Sequence, residues 1–118
     1  MSAEIFFRSS LSYADVFVRL CDVDETGRST NVCDGLTSLT RADELTRAEI
    51  RLWPTAHRFR RGHRIRVQIS SGAFPRYARN PGTGEGPATA STLRAADQAV
   101  HHDAGHPSAV ILPVRQAA

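Results

Sequence analysis

One stretch constrains the fold more than any other. In Arg64-Ile65-Arg66-Val67-Gln68-Ile69-Ser70, apolar and polar residues alternate strictly. Successive side chains of a strand point to opposite faces, so Ile65, Val67 and Ile69 share one face while Arg64, Arg66 and Gln68 share the other. The pattern predicts a half-buried antiparallel strand. Glu49-Ile50-Arg51-Leu52 repeats it over a shorter span.

Residues 15–23 differ, being apolar on both faces. Val16, Val18 and Leu20 line one side, and Phe17, Cys21 and Val23 the other. A central strand covered twice is expected. Asp24-Glu25-Thr26-Gly27 supplies a turn, with glycine free to take positive φ. Residues 29–39 can then return as the hairpin partner. The tightest register sets Val23 opposite Arg28 and Cys21 opposite Thr30. Cys21 and Cys33 are then not neighbours, and no disulfide is expected.

Further strands are expected at 4–8, 93–102 and 108–114. Pro113 cannot donate to a ladder, so the last of these should end there or lie at an edge. Residues 57–61 read as a short connection. The segment 41–50 dissents, because it holds good helix formers with Ala42, Leu45 and Ala48 near helical spacing. It is read as a loop or short helical turn. Residues 76–91 form a long Gly- and Pro-rich polar segment, and loops of that length are usually functional or mobile. About seven short strands with polar turns predict an all-β sandwich or open barrel. A length of 118 residues fits a single domain over 1–118.

The charge balance excludes some functions. All 15 basic residues are arginine, yet 12 acids offset them to a formal charge of +3. A dedicated nucleic-acid arm would be far more basic. The stretch His57-Arg58-Phe59-Arg60-Arg61-Gly62-His63-Arg64 is therefore read as a charged connection and strand face that discourages edge pairing. No apolar run reaches membrane-spanning length, and Met1-Ser2-Ala3-Glu4 lacks a signal-peptide profile. A cytoplasmic location with neither nucleic-acid nor membrane partner is the default expectation.

The residues that could do chemistry do not assemble a catalyst. A Gly-x-Ser-x-Gly elbow is absent, and Ser70-Ser71-Gly72 lacks the preceding glycine. Cys21 and Cys33 sit in apolar strand patterns and read as inert thiols. His101, His102 and His106 with Asp103 are the densest group of metal-ligand types. Their spacing matches no zinc signature, and His101 and His102 point to opposite faces of a strand. A polar strand end and turn is expected there, with no metal and no cofactor. Asn80-Pro81-Gly82-Thr83-Gly84-Glu85-Gly86-Pro87 is glycine-rich but has no following helix to complete a phosphate loop, so it reads as surface. Trp53-Pro54 ends a strand with a large ring suited to core or inter-domain packing.

Several segments in order carry a family resemblance. They are Ala14-Asp15-Val16-Phe17-Val18-Arg19-Leu20-Cys21-Asp22-Val23, Gly27-Arg28-Ser29, Asn31-Val32-Cys33-Asp34-Gly35 and Leu52-Trp53-Pro54-Thr55-Ala56-His57. Phe59-Arg60-Arg61-Gly62-His63-Arg64-Ile65-Arg66-Val67-Gln68-Ile69-Ser70-Ser71 follows. Phe74-Pro75-Arg76, Arg79-Asn80-Pro81-Gly82-Thr83-Gly84, His102-Asp103, His106-Pro107-Ser108 and Leu112-Pro113-Val114 complete the series. This order resembles the C-terminal non-catalytic domain of the X-Pro dipeptidyl-peptidase and cocaine-esterase-like (CocE/NonD) serine hydrolases, over residues 6–114.

The resemblance implies a jelly-roll-like, galactose-binding-like β-sandwich that packs on an α/β-hydrolase domain and helps wall its substrate pocket. It assigns no catalytic residue here, so His57, His63 and His102 are not triad candidates. Relative to the family the sandwich looks N-terminally truncated. The implied partners are a catalytic α/β-hydrolase domain on a separate chain and, through an exposed sheet edge, a second copy of this chain. The implied function is that of an accessory domain of a serine esterase or dipeptidyl-peptidase. A stand-alone jelly-roll module for carbohydrate or small acyl ligands is the competing reading. The candidate ligand or partner surface is Trp53, Phe74, Arg76, Tyr77 and Arg79.

Overall fold

The computed structural model describes residues 1–115; positions 116–118 of the expected domain lie outside the described residues. Seven strands and no helix are found among the described residues: β1 (Ser2–Ser9), β2 (Ala14–Val23), β3 (Ser29–Leu39), β4 (Thr46–Arg51), β5 (Arg64–Ser70), β6 (Gln98–His101) and β7 (Ala109–Ile111). They form two antiparallel sheets, a β-sandwich. One has the order β4-β1-β6 with β7 also on β1, and the other has the order β3-β2-β5.

The two central strands make the core. β1 alternates, sending Ala3, Ile5 and Phe7 inward. β2 is buried along its length except at Arg19, as its two-sided apolar pattern requires. Val16 and Val18 meet Ala3, Ile5, Phe7, Ala48, Ile50 and Leu52 in one cluster between the sheets. Each fully buried side chain of Leu or Ile size contributes about 1.5–3 kcal/mol. Gly35, opposite Val18 on β3, lets the sheets meet at a corner: a Cβ there would lie 2.2 Å from the Arg51 carbonyl oxygen.

Four expectations need correction. The first concerns the 41–50 segment, which is not helical. Residues 41–45 turn, and β4 then pairs with β1 from Ser2↔Arg51 to Phe7↔Thr46. Ala48 and Ile50 are buried while Arg47, Glu49 and Arg51 are exposed, so period-two burial against β1 overrides local helix propensity.

The second is the hairpin register. Val23 faces Ser29, and Cys21 faces Asn31 rather than Thr30. The loop needs five residues because Asp24 organises it: its carboxylate accepts bonds from the Thr26 and Arg28 N–H groups, both at 2.9 Å, and Gly27 sits at φ 90°. A bulge beyond Leu20/Cys21 leaves Val32 as the extra residue, and both cysteines are free.

The third is strand length. Only Gln98–His101 and Ala109–Ile111 join ladders, so the 93–102 and 108–114 strands are shorter than expected, the last stopping before Pro113. β6 and β7 both run antiparallel to β1: His101 faces Phe6, and Ala109 faces Glu4. They form one edge strand, interrupted by an excursion over 102–108.

The fourth is β5, whose alternation predicted half burial. Only Ile69 packs partly on the core, while Ile65 and Val67 are 53% and 38% exposed.

Candidate functional site

The expected surface residues are brought together on the outer side of the β3-β2-β5 sheet. Phe17 and Arg19 point outward from β2, on the face opposite Val16 and Val18. After β4, Leu52 is the last buried residue, and Trp53 turns out to 62% exposure. Its backbone N–H donates to the Asp34 carbonyl at 3.0 Å. Trp53 is thus a surface residue, which corrects the core-packing expectation. After β5, a turn closed by Tyr77 N–H to Ala73 C=O at 3.2 Å projects Phe74, Arg76 and Tyr77 over the same side.

These side chains hold one another. Arg76 donates from Nε and Nη2 to one Asp34 oxygen at 3.1 and 2.9 Å. That bond, and the Asp34 charge, push the Arg76 pKa further up. Half the Arg76 side chain remains exposed, so solvent screens the pair, which chiefly fixes where the guanidinium lies. The Trp53 indole donates to the Tyr77 hydroxyl at 3.4 Å. Arg76 lies 5.4 Å from the Tyr77 ring centroid, Arg79 4.1 Å from that of Phe74 and Arg19 5.0 Å from that of Phe17. Three arginines thus sit against three aromatic rings, with Trp53 at the margin.

Between them runs an open cleft of about 630 Å³ lined by Phe17, Arg19, Gln68, Phe74 and Arg76. The Arg19 Nε beside it is buried and has no hydrogen-bond partner among the described residues. An unsatisfied charged donor costs free energy until a partner reaches it, and sequence reading missed it.

A second cluster, also missed, lies at the end of β2. Asp22 is buried and accepts from two rings: His57 Nε2 at 2.7 Å and His63 Nδ1 at 2.8 Å. The His57 bond is the largest influence holding the Asp22 pKa below its ordinary value, with further lowering from His63. Both histidines of the basic stretch are therefore spent tying the β4–β5 connection to β2. A carboxylate inside the apolar run Leu20-Cys21-Asp22-Val23 was the available signal, because buried charges need partners.

Nothing at these positions assembles a nucleophile. The imidazoles of His57, His63 and His106 each bond a carboxylate. Cys21 Sγ meets Asn31 and Gln68, and burial pushes the Cys33 thiol up, away from thiolate chemistry. The glycine-rich loop is pinned: Asn80 donates to Asp15 at 2.9 Å, and Pro81 is fully buried. Among the described residues no helix is long and apolar enough to cross a membrane.

Two packed sheets, one carrying an aromatic–arginine face, define a β-sandwich module. Residues 1–111 match the family model of the X-Pro dipeptidyl-peptidase C-terminal non-catalytic domain, and the chain belongs to that family. It is 34% identical over 128 residues to a cocaine esterase of Rhodococcus sp. (strain MB1 Bresler), a match covering 97% of this chain and 22% of the relative. It also superposes on an aminopeptidase from a marine-sediment Thaumarchaeota archaeon with a TM-score of 0.76 and 26% identity, over 91% of this chain and 21% of that one. The chain thus spans about a fifth of the length of both relatives.

Proposed function

We propose that this chain is the non-catalytic accessory domain of a serine hydrolase of the esterase or dipeptidyl-peptidase kind. It has no turnover of its own, and it docks on an α/β-hydrolase catalytic domain to wall the substrate pocket. The observation that carries this reading is the paired exposure of Trp53 and Phe74, at 62% and 60%, beside arginines stacked on aromatic rings. Aromatic residues and arginine dominate the energetic centres of protein interfaces, whereas isolated surface rings of this size cost solubility. The open cleft lined by Phe17, Arg19, Phe74 and Arg76 supports the same reading, because it sets guanidinium groups beside aromatic rings.

The test uses the cocaine esterase relative expressed without the segment that matches this chain. Association should be measurable by calorimetry. Truncating Trp53 and Phe74 together to alanine should weaken it by at least about 2 kcal/mol, the scale of an interface hot spot. A fluorophosphonate probe should acylate the esterase remainder and leave this chain unlabelled. If the double variant binds unchanged while sugars or acyl esters raise the melting temperature of this chain, the stand-alone ligand-binding reading replaces this one.

A further inference from the structure

The excursion that interrupts the β6–β7 edge strand gathers ligand-type side chains. His101 closes β6, and the turn 103–106 carries Asp103 and His106. One donor atom from each of the three lies within 4.8 Å of those of the other two. His106 Nδ1 already sits 3.0 Å from Asp103 Oδ1, and the rings of His101 and His106 are 5.4 Å apart. Three ligands on a tetrahedral zinc with bonds of about 2.0–2.1 Å must be about 3.3–3.5 Å apart, a spacing that side-chain rotation reaches once the His106–Asp103 hydrogen bond gives way to the ion.

The backbone that presents these groups is held independently of any ion. Ser108 accepts from the Phe6 N–H at 2.9 Å and donates its hydroxyl to the His101 carbonyl, clamping the mouth of the excursion. Asp103 Oδ1 accepts from the N–H groups of Gly105 and His106 at 3.0 and 2.8 Å, leaving Oδ2 outside these bonds. The Phe6 ring meets the His106 ring edge-on at 5.6 Å and restrains it.

From this arrangement we infer that His101, Asp103 and His106 form a divalent-cation site of the zinc class, with water completing the coordination. Two imidazoles and one carboxylate suit zinc and its neighbours, whereas calcium and magnesium want an all-oxygen shell. His102, exposed and adjacent, stays outside the cluster. The spacing resembled no zinc signature because the site depends on the turn: residues 103–106 fold His106 back beside His101. A bound ion would clip together the two halves of the edge strand.

The experiment is isothermal titration of metal-stripped protein with zinc chloride at neutral pH, repeated with calcium chloride and with cobalt(II) for its visible spectrum. The expected result is one equivalent of zinc, no calcium, and cobalt bands typical of imidazole coordination. His106→Gln should weaken zinc binding more than about tenfold. His101→Gln is the cleaner variant, because His101 joins the loop's hydrogen bonds through its carbonyl alone and the turn survives its loss. It should weaken binding to the same degree with an unchanged circular dichroism spectrum. A double His57→Gln, His63→Gln variant should bind as the parent does. No zinc uptake by the parent, or uptake that survives His101→Gln, would overturn the assignment.

Discussion

β2 and β5 lie side by side in one sheet, yet their sequences and their surroundings point opposite ways. β5 carries the chain's most regular alternation and is exposed at every residue except Ile69. β2 alternates poorly and is buried at every residue except Arg19. Their pairing shows why. Val18 faces Ile69, Leu20 faces Val67, and Asp22 faces Ile65, so the apolar row of β5 continues the inner face of β2. The opposing sheet covers β2 and stops short of most of β5. Alternation reports which side of a strand is apolar; whether anything covers that side is decided by strands far away in sequence.

The largest expected effect should come from the covered strands. Ile5 and Leu20 are each 1% exposed. Truncating either to alanine removes buried methyl groups and leaves a cavity, which costs about 2–5 kcal/mol. Urea unfolding followed by tryptophan fluorescence would show it. A loss below 1 kcal/mol, on the scale of surface changes, would mean the core is placed elsewhere.

The corner at Gly35 comes next. Its Cβ position lies 2.2 Å from the Arg51 carbonyl oxygen and 3.1 Å from the Ile50 side chain. Gly35→Ala must push β3 off β4, at a cost of about 1–3 kcal/mol. Gly72 has no atom near its Cβ position, and Gly72→Ala should leave the unfolding midpoint where it is.

The effect of Asp22 is confined to acid. Its pKa is lowered in the folded chain, chiefly by the hydrogen bond to His57. A lowered carboxyl contributes stability that is present above its unfolded pKa and is lost as pH falls through the folded one. Unfolding midpoints should therefore fall below about pH 4, where an unperturbed aspartate titrates. In Asp22→Asn that part of the fall should be missing. An equal acid slope in the variant would show that the two imidazole bonds carry no net stabilisation.

How much of this was legible turns on the same contrast. Local rules found β2, its hairpin partner and the turn at Gly27, because those depend on residues close in sequence. The five residues read as a candidate surface, Trp53, Phe74, Arg76, Tyr77 and Arg79, come from two segments that the fold sets side by side through the Trp53–Tyr77 and Arg79–Phe74 contacts. The helix formers of 41–50 misled because β4 exists only through its pairing with β1, some 45 residues away. In the Asp22–His57–His63 knot the buried carboxylate was legible as needing partners, but which residues supply them was not, because they lie 35 and 41 residues away.

The smallest effect separates the two strands most sharply. Ile65 and Val67 have the same chemistry as Val16 and Val18, but they face solvent. Replacing both with threonine keeps the β-branched shape and should change the stability of the isolated chain by no more than about 0.5 kcal/mol. The same change should matter when something covers β5. If that cover is the catalytic domain, the variant binds the esterase remainder more weakly while light scattering of the chain alone is unchanged. If two copies pair along this edge, the apparent mass falls from dimer to monomer instead. A stability loss as large as that of Leu20→Ala, in the chain by itself, would show that β5 is covered within this fold, and the contrast with β2 would disappear.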